Sequence, residues 1–350
     1  VRAFFGAVGA RWRRWSRWRR AGVIAGLVFA LLLTTVAGLA VALRLEYAGD
    51  PPADARTRGR DAVWLGHAWV DGRKTDADIA ALATLLSGTG IKDLFVHTGP
   101  FARDGSVPDD LHPQARWFTD AVHRSLPGIR VQSWLGQLVE PEFDDLDMAD
   151  PATRANITAA ARKVLDLGFD GVHLDLEPVR SGSSDFLSIL GQVRAVTKSR
   201  NVPLSVSAPQ IDPLPGLHSV GIALRDHGKW WSQAYFAEVA RRVDQVAVMS
   251  YDTAMPTQSL YGGYVAQQTS LALAVTPAEV DLLMGAPAFW ADDIAHHGAA
   301  ETVPAAIRGI RLALGRDDRH RQTFGVALYV DFAATPQDWA AYRRDWGQLP

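Results

Sequence analysis

Between residues 61 and 332 the chain alternates short apolar runs with longer segments of helical period. The runs AVWLGHAW (62–69), DLFVHT (93–98), IRVQSWL (129–135), GVHLDLE (171–177), PLSVSAP (203–209), QVAVMSY (245–251), DLLMGAP (281–287) and FGVALYVDF (324–332) predict eight strands. Residues 76–86, 151–168, 184–196, 231–243 and 305–315 predict helices between them. Such alternation implies parallel strands joined by helical crossovers, an α/β fold, and eight units in about 290 residues fit a closed (β/α)8 TIM barrel better than an open doubly wound sheet. An open sheet of that kind usually carries an early glycine-rich phosphate turn, and neither GxGxxG nor a P-loop is present. There is no GxSxG nucleophile elbow and no internal repeat. In a barrel the chemistry belongs at the carboxyl ends of the strands. The longer loops there are 99–113, 136–150, 210–229 and 252–263, which predict a walled cleft.

The first 60 residues follow a different pattern. Residues 21–43 run 23 positions without a charge, and at about 1.5 Å rise per residue they span the roughly 30 Å hydrocarbon core of a bilayer. Ahead of them, residues 1–20 hold seven arginines and no acid, which predicts a cytoplasmic basic segment, a single-pass transmembrane helix and an extracytoplasmic body. Trp12, Trp15 and Trp18 suit the lipid interface. The competing expectation is a cleaved signal peptide ending at Ala40-Val41-Ala42, but the apolar run exceeds the usual core of about 7–15 residues. Residues 44–60, with Pro51-Pro52 and no apolar period, read as a spacer lifting the body off the lipid, and residues 61–346 as the folded domain. Without the arginines of the head, the formal charge of −2 becomes −9 for the rest, which argues against nucleic acid as partner. The absence of cysteine excludes a disulfide scaffold, a thiol enzyme and a cysteine-ligated zinc site.

The fourth apolar run carries the chemistry. In Gly171–Glu177, Val172, Leu174 and Leu176 share one face and His173, Asp175 and Glu177 the other. Apolar side chains face the surrounding helices, so the ionisable row points into the barrel and climbs to Glu177 at its catalytic end. Three such groups in a packed interior cost several kcal/mol unless they share protons and hydrogen bonds. An ionised Asp175 below Glu177 raises the upper carboxyl's pKa by repulsion, and burial acts in the same direction. A protonated Glu177 is a general acid suited to cleaving a glycosidic bond. The second free carboxylate of an ordinary retaining or inverting pair is not evident in the sequence.

Here the chain resembles family 18 glycoside hydrolases, the chitinase-like enzymes, whose fourth strand carries DxxDxDxE. Asp170, His173, Asp175 and Glu177 occupy those places. A second match is the family's Met-x-Tyr-Asp, present as Met249-Ser250-Tyr251-Asp252 on the sixth strand. Weaker echoes are Gly285-Ala286-Pro287 and the apolar last strand. The resemblance implies substrate-assisted retaining hydrolysis of β-linked N-acetylhexosamine polymers, chitin-type or cell-wall glycan, in which the sugar's acetamido oxygen is the nucleophile. Glu177 is then acid and base, Asp175 orients the acetamido group, Tyr251 donates to its oxygen, and Asp252 and Met249 contact substrate. Asp170 and His173 support them, and no cofactor is implied. The chain departs from the pattern at His173, where the family has an aspartate that shares a proton with the middle one. It departs also at Ser133-Trp134-Leu135-Gly136, a reduced form of the paired-glycine motif, and at Tyr329, where the family has the tryptophan beneath the sugar. The alternative is a barrel that has lost catalysis and binds glycan at the membrane.

Of the aromatic residues near strand ends, Trp290 and Tyr329 are assigned to the cleft as stacking surfaces. Glu140, Glu142, Asp144, Asp145 and Asp147 read as a solvated acidic rim, since their spacing matches no calcium loop. His296-His297 lacks the spacing of a zinc site and reads as surface histidine, and no metal site is expected.

Overall fold

The computed structural model describes residues 16–225 and 228–348. The basic stretch through Trp15, which carries part of the expected topology, lies outside the described residues. Eight parallel strands form a closed barrel: β1 (Asp61–Leu65), β2 (Ile91–His97), β3 (Arg130–Leu138), β4 (Gly171–Glu177), β5 (Leu204–Ala208), β6 (Gln245–Val248), β7 (Asp281–Pro287) and β8 (Phe324–Tyr329). Ala62 and Val63 pair with Ala327 and Leu328 and close the ring between β1 and β8. Helix α1 (Arg17–Glu46) precedes the barrel. A helix follows each strand: α2 (Asp76–Leu86), α3 (Ala115–Ser125), α4 (Pro151–Asp166) and α5 (Ser184–Ser199) for the first four. The connection after β5 carries α6 (Leu217–Arg225) and then α7 (Gln233–Ala240), and the last three are α8 (Gln258–Val275), α9 (Val303–Asp317) and α10 (Pro336–Tyr342).

Helix α8 was not legible as a helical pattern, because Tyr261–Ala266, Gln268, Thr269, Ala272 and Leu273 are buried and leave no polar stripe of the usual width. Three of the expected strands end at least three residues early, the last of them, β8, stopping at Tyr329 rather than Phe332. Residues 67–69 form a 3-10 turn rather than the end of β1, and β6 stops at Val248, which leaves Met249–Tyr251 at the mouth.

Alternation along the strands divides the apolar side chains into two cores. Val63, Leu94, Val131, Val172 and Leu174 pack outward against the helices. Ala62, Trp64, Phe95, Trp134, Leu283 and Ala327 form a separate cluster inside the barrel. Beneath and beside that inner cluster runs a polar column. Arg130 grips Asp93 through two hydrogen bonds of 2.7 Å, and Gln132 Nε2 donates to Asp93 (2.9 Å). Ser205 Oγ donates to Gln132 Oε1 (2.9 Å), and His173 Nδ1 lies 2.7 Å from that hydroxyl. Asp93, Gln132, Ser205 and His173 thus partner one another, which is the condition for placing them there. At the foot, Asp61 accepts from Thr57, Tyr342, Trp346 and the Val326 amide, so both ends of the domain are tied to one buried carboxyl.

Helix α1 is long and apolar enough to cross a membrane, with a mean hydropathy of 2.4 over its best 18-residue window, none of it buried. The residues that follow differ from the expected spacer. Asp54 accepts three hydrogen bonds from Arg319, Arg316 pairs with Glu46 (2.5 Å), Arg311 donates to the carbonyls of Ala55 and Pro52, and Ala55 is fully buried. Arg311 and Arg316 of α9 and Arg319 just beyond it supply these donors, so the absence of apolar period in 47–60 marks a strapped segment rather than a free one. Upstream, the last turns of α1 rest on α8. A Cβ at Gly263 would stand 1.9 Å from the Leu43 carbonyl oxygen, and one at Gly262 would stand 2.1 Å from the Tyr47 ring. Only glycine allows this approach. Gly263→Val is expected to leave the barrel folded and to free the junction. Tryptic cleavage at Arg56 and Arg58 should then run several-fold faster than in the wild type while the far-ultraviolet circular dichroism is unchanged, and equal cleavage rates would refute the docking.

Candidate active site

The strand β4 is set by its alternation. Gly136 of β3 pairs with Asp175, and Leu138 with Glu177, so both carboxyl groups stand at the mouth end of the barrel. Trp134 Nε1 donates to Asp175 Oδ2 at 2.7 Å. Asp175 Oδ1 is buried without a hydrogen-bond partner, and the Glu177 carboxyl lies close enough to the Asp175 carboxyl to share a hydrogen bond with it when Glu177 carries a proton. Burial pushes the Glu177 pKa well above the ordinary glutamate value, and the charge of Asp175 pushes it further the same way. Glu177 therefore holds its proton more tightly than a solvated glutamate does.

His173 lies one layer below and bonds to Trp64, Ser205 and Ser207 rather than to Asp175, so it does not take the place of the family's proton-sharing aspartate. Its Nε2 receives the Trp64 indole N–H (3.1 Å), and its ring stacks on Phe95 with centroids 3.9 Å apart. An indole nitrogen only donates, so Nε2 is unprotonated and the proton sits on Nδ1, directed at Ser205. Burial holds the imidazole neutral, with its pKa lowered to about 3. The position of a potential second charge is therefore neutral, and Asp175 bears on Glu177 alone from below.

The opposite wall comes from the ends of β6, β7 and β8. Met249, Tyr251, Asp252 and Tyr329 line, with Asp175 and Glu177, a cavity of about 370 Å³. The Tyr251 and Tyr329 rings stack at 5.2 Å, and Gly285 makes room for Tyr251, since a Cβ there would lie 2.9 Å from its ring. Burial raises the Tyr251 pKa well above the ordinary phenol value and the Tyr329 pKa to about 12, so both remain hydroxyl donors. Asp252 adopts a left-handed backbone (φ 55°), a conformation that costs a non-glycine residue about 1–3 kcal/mol unless its surroundings hold it. They do: His296 Nδ1 lies 2.8 Å from Asp252 Oδ1, Lys229 Nζ donates to the Asp252 carbonyl (3.1 Å), and Glu301 accepts from the next amide, Thr253 (3.0 Å).

The structure thus brings Glu177, Asp175, Tyr251, Asp252, Met249 and Tyr329 to one cavity. It does not bring Asp170 there. Asp170 precedes β4 at the foot of the barrel, accepting from the Val131 amide and facing His123 Nε2, each at 2.8 Å, and so anchors the start of the strand. Trp290 does not line the cavity either, and it is 71% exposed on the loop after β7. His296, expected at the surface, is buried, lying between Asp252 and Glu301, whose carboxylate is 3.5 Å away. Among the described residues Asp252, His296 and Glu301 form the one cluster whose ligand atoms would suit a metal ion, within 4.8 Å of one another. Their spacing is that of a hydrogen-bonded ion pair. Burial opposes charge on His296, but the bond to Asp252 and the charge of Glu301 outweigh it and raise its pKa. The acidic run after β3 is not simply solvated: Glu142 is buried against Arg180 and the Gly228 amide, and Arg103 pairs with Asp144 and Glu140. Trp64, Trp134 and Lys229 belong to the site and were not assigned to it from sequence. Trp134 shares the inward face of β3 with Gln132 and Gly136, the signal that would have found it.

No family model and no curated protein sequence matches the chain. Solved structures do resemble it. The spore cortex-lytic enzyme SleL of Bacillus megaterium QM B1551 superposes with a TM-score of 0.56 at 11% identity over 83% of this chain and 75% of that one. A class V chitinase from Pseudomonas fluorescens Pf-5 gives 0.54 at 14% identity, covering 81% of this chain and 98% of its own. A chitinase from Chromobacterium violaceum ATCC 12472 gives the same three values and 98% of its own length. The fold is therefore a chitinase-like barrel.

The Glu177 pKa is open to direct measurement by the carboxyl ¹³C shift. It is expected well above that of a solvated glutamate. In Asp175→Asn the repulsion and the shared proton are lost while burial persists, so the value should fall but stay elevated. A wild-type value near that of a free glutamate would refute the proton-holding pair.

Proposed function

We propose that the protein is a glycoside hydrolase that cleaves β-linked N-acetylhexosamine polymers, chitin-type or cell-wall glycan, with retention and with the substrate's acetamido group as nucleophile. The observation that carries this reading is a raised Glu177 beside an Asp175 whose Oδ1 has no other partner. Among the described residues lining the cavity the carboxylates are Asp175, Glu177 and Asp252. Asp175 adjoins the acid on the same strand, and Asp252 is held by His296, so neither is a free nucleophile across the bond. The nucleophile comes from the sugar.

In this mechanism Glu177 gives its proton to the glycosidic oxygen as the bond to the anomeric carbon breaks. The acetamido oxygen bonds to that carbon and forms an oxazolinium ion. Asp175 Oδ1, relieved of the Glu177 proton, accepts the acetamido N–H and its charge stabilises the cation. The Tyr251 hydroxyl, which makes no hydrogen bond to another described residue, donates to the acetamido oxygen. Glu177, now a carboxylate, takes a proton from water as it opens the ring and restores the starting state. Tyr329 and Tyr251 offer aromatic faces to the sugar. The chitinase and cortex-lytic activities named for the structural neighbours agree with this substrate class. With α1 as an uncleaved anchor, the barrel works outside the cytoplasm, next to the wall.

Hydrolysis of N-acetylglucosamine oligomers by the full-length protein is expected to fall by about 10²–10⁴-fold in Glu177→Gln, with oligomer affinity nearly unchanged. Indistinguishable rates would remove Glu177 from the mechanism, and tight binding without any wild-type product would select a binding protein. Activity should decline at high pH as Glu177 loses its proton, and this alkaline limb should move to lower pH in Asp175→Asn. Tyr251→Phe is expected to cost about 10²-fold in turnover through loss of a single donor to the oxygen.

A further inference from the structure

The exposed large apolar side chains of the described barrel residues are Leu138, Phe143, Leu214, Val220, Trp290, Ile294 and Phe332. Every one lies at the mouth: at the end of β3 or in its loop, or in the connections after β5, β7 and β8. The outer helices and the foot contribute none among the described residues. Clustering of this kind marks a surface that meets something apolar. Sugar binding accounts for the aromatic members, whose flat faces stack on a pyranose. It does not account for Leu214, Val220 and Ile294, which do not line the cavity, the last 92% exposed.

The position of α1 supplies the occupant. Its last turns sit on Gly262 and Gly263, near the start of α8, and α8 begins at the mouth because it follows β6. After Tyr47 the chain descends along α9, with Pro52 against Gly315 and Asp54 against Arg319, to enter β1 at the foot. The apolar window of α1 is unburied, so the helix leaves the barrel wall rather than lying along it. The end of the apolar helix therefore meets the barrel wall beside the start of α8, a helix that begins at the mouth where the apolar rim lies. We infer that the mouth is a membrane-docking surface, its apolar rim resting in the interface of the lipid bilayer that holds α1. Aliphatic and aromatic side chains partition into that boundary layer when an anchor brings them to it. The strapped junction at Asp54 and Gly263 fixes the tilt that a free tether would leave random. The consequence for substrate is that the site takes glycan at the bilayer surface, such as a strand still carried on lipid. The inference rests on reading α1 as a membrane helix and not on the catalytic assignment.

The chain has no cysteine, so single cysteines report without background. The full-length protein would be reconstituted in phosphatidylcholine–phosphatidylglycerol vesicles as Ile294→Cys, Leu214→Cys, Lys198→Cys and Val28→Cys. Each is labelled with an environment-sensitive fluorophore and challenged with quencher-bearing lipids. Lys198 is exposed at the foot end of α5, and Val28 lies within α1. Docking predicts blue-shifted emission and several-fold stronger lipid quenching at 294 and 214 than at 198, with 28 quenched most. Quenching at 28 with 294 and 214 no stronger than 198 would overturn the docking and leave the anchor standing. No quenching at 28 would overturn both. Probes at 294 and 214 that respond to soluble N-acetylglucosamine oligomers but not to lipid quencher would assign the rim to glycan and overturn the inference. Hydrolysis of soluble oligomers by the same variants reads the catalytic proposal separately.

Discussion

Two carboxyl groups on one strand, facing into a closed barrel, set the terms for the rest of the interior. Asp175 and Glu177 cannot both be ionised there without a large cost, and burial together with the charge of Asp175 favours the protonated form of the upper one. The indole of Trp134 satisfies one oxygen of Asp175, and the other is buried without a hydrogen-bond partner. Below them His173 is held neutral, because its Nε2 must accept from Trp64. A second negative charge at that position would add to the repulsion, and a cationic imidazole would offset it. The neutral tautomer does neither.

Tyr251 and Asp252 are placed by a different logic. They lie beyond the last hydrogen-bonded residue of β6, where the sheet no longer dictates direction. Gly285 on the neighbouring strand admits the Tyr251 ring. A buried Glu301 and His296 then hold Asp252 in a left-handed backbone that the chain would otherwise leave. The loop after β7 thus determines the geometry at the end of β6, a coupling between residues about forty positions apart in sequence.

Helix α1 and the mouth share a physical problem, since both expose apolar surface to whatever surrounds them. A glycine pair in α8, Arg308 and Arg316 of α9 and Arg319 just beyond it bind the intervening segment to the barrel wall.

The strand count, the closed barrel and the inward row on β4 were legible in the sequence, because alternation with a period of two in short apolar runs leaves little freedom of interpretation. So was the placing of Asp175 and Glu177 together at the mouth, since residues two apart share a face by the geometry of any strand. Helix α8, whose burial erases its polar stripe, was not legible, nor was the strap at 47–60, whose partners lie in α9 and just beyond it. Asp170 matched a motif but sits below the strand, because a motif counts positions and not height in the barrel. Trp290 and His296 exchanged expected places, one outside and one inside, as a loop's burial depends on what packs against it. Sequence by itself determined which face each strand residue takes, a local property of the backbone. Only the tertiary structure decided which of those residues meet, which atom of His173 carries the proton, and where Asp252 points, because each depends on partners brought from other strands.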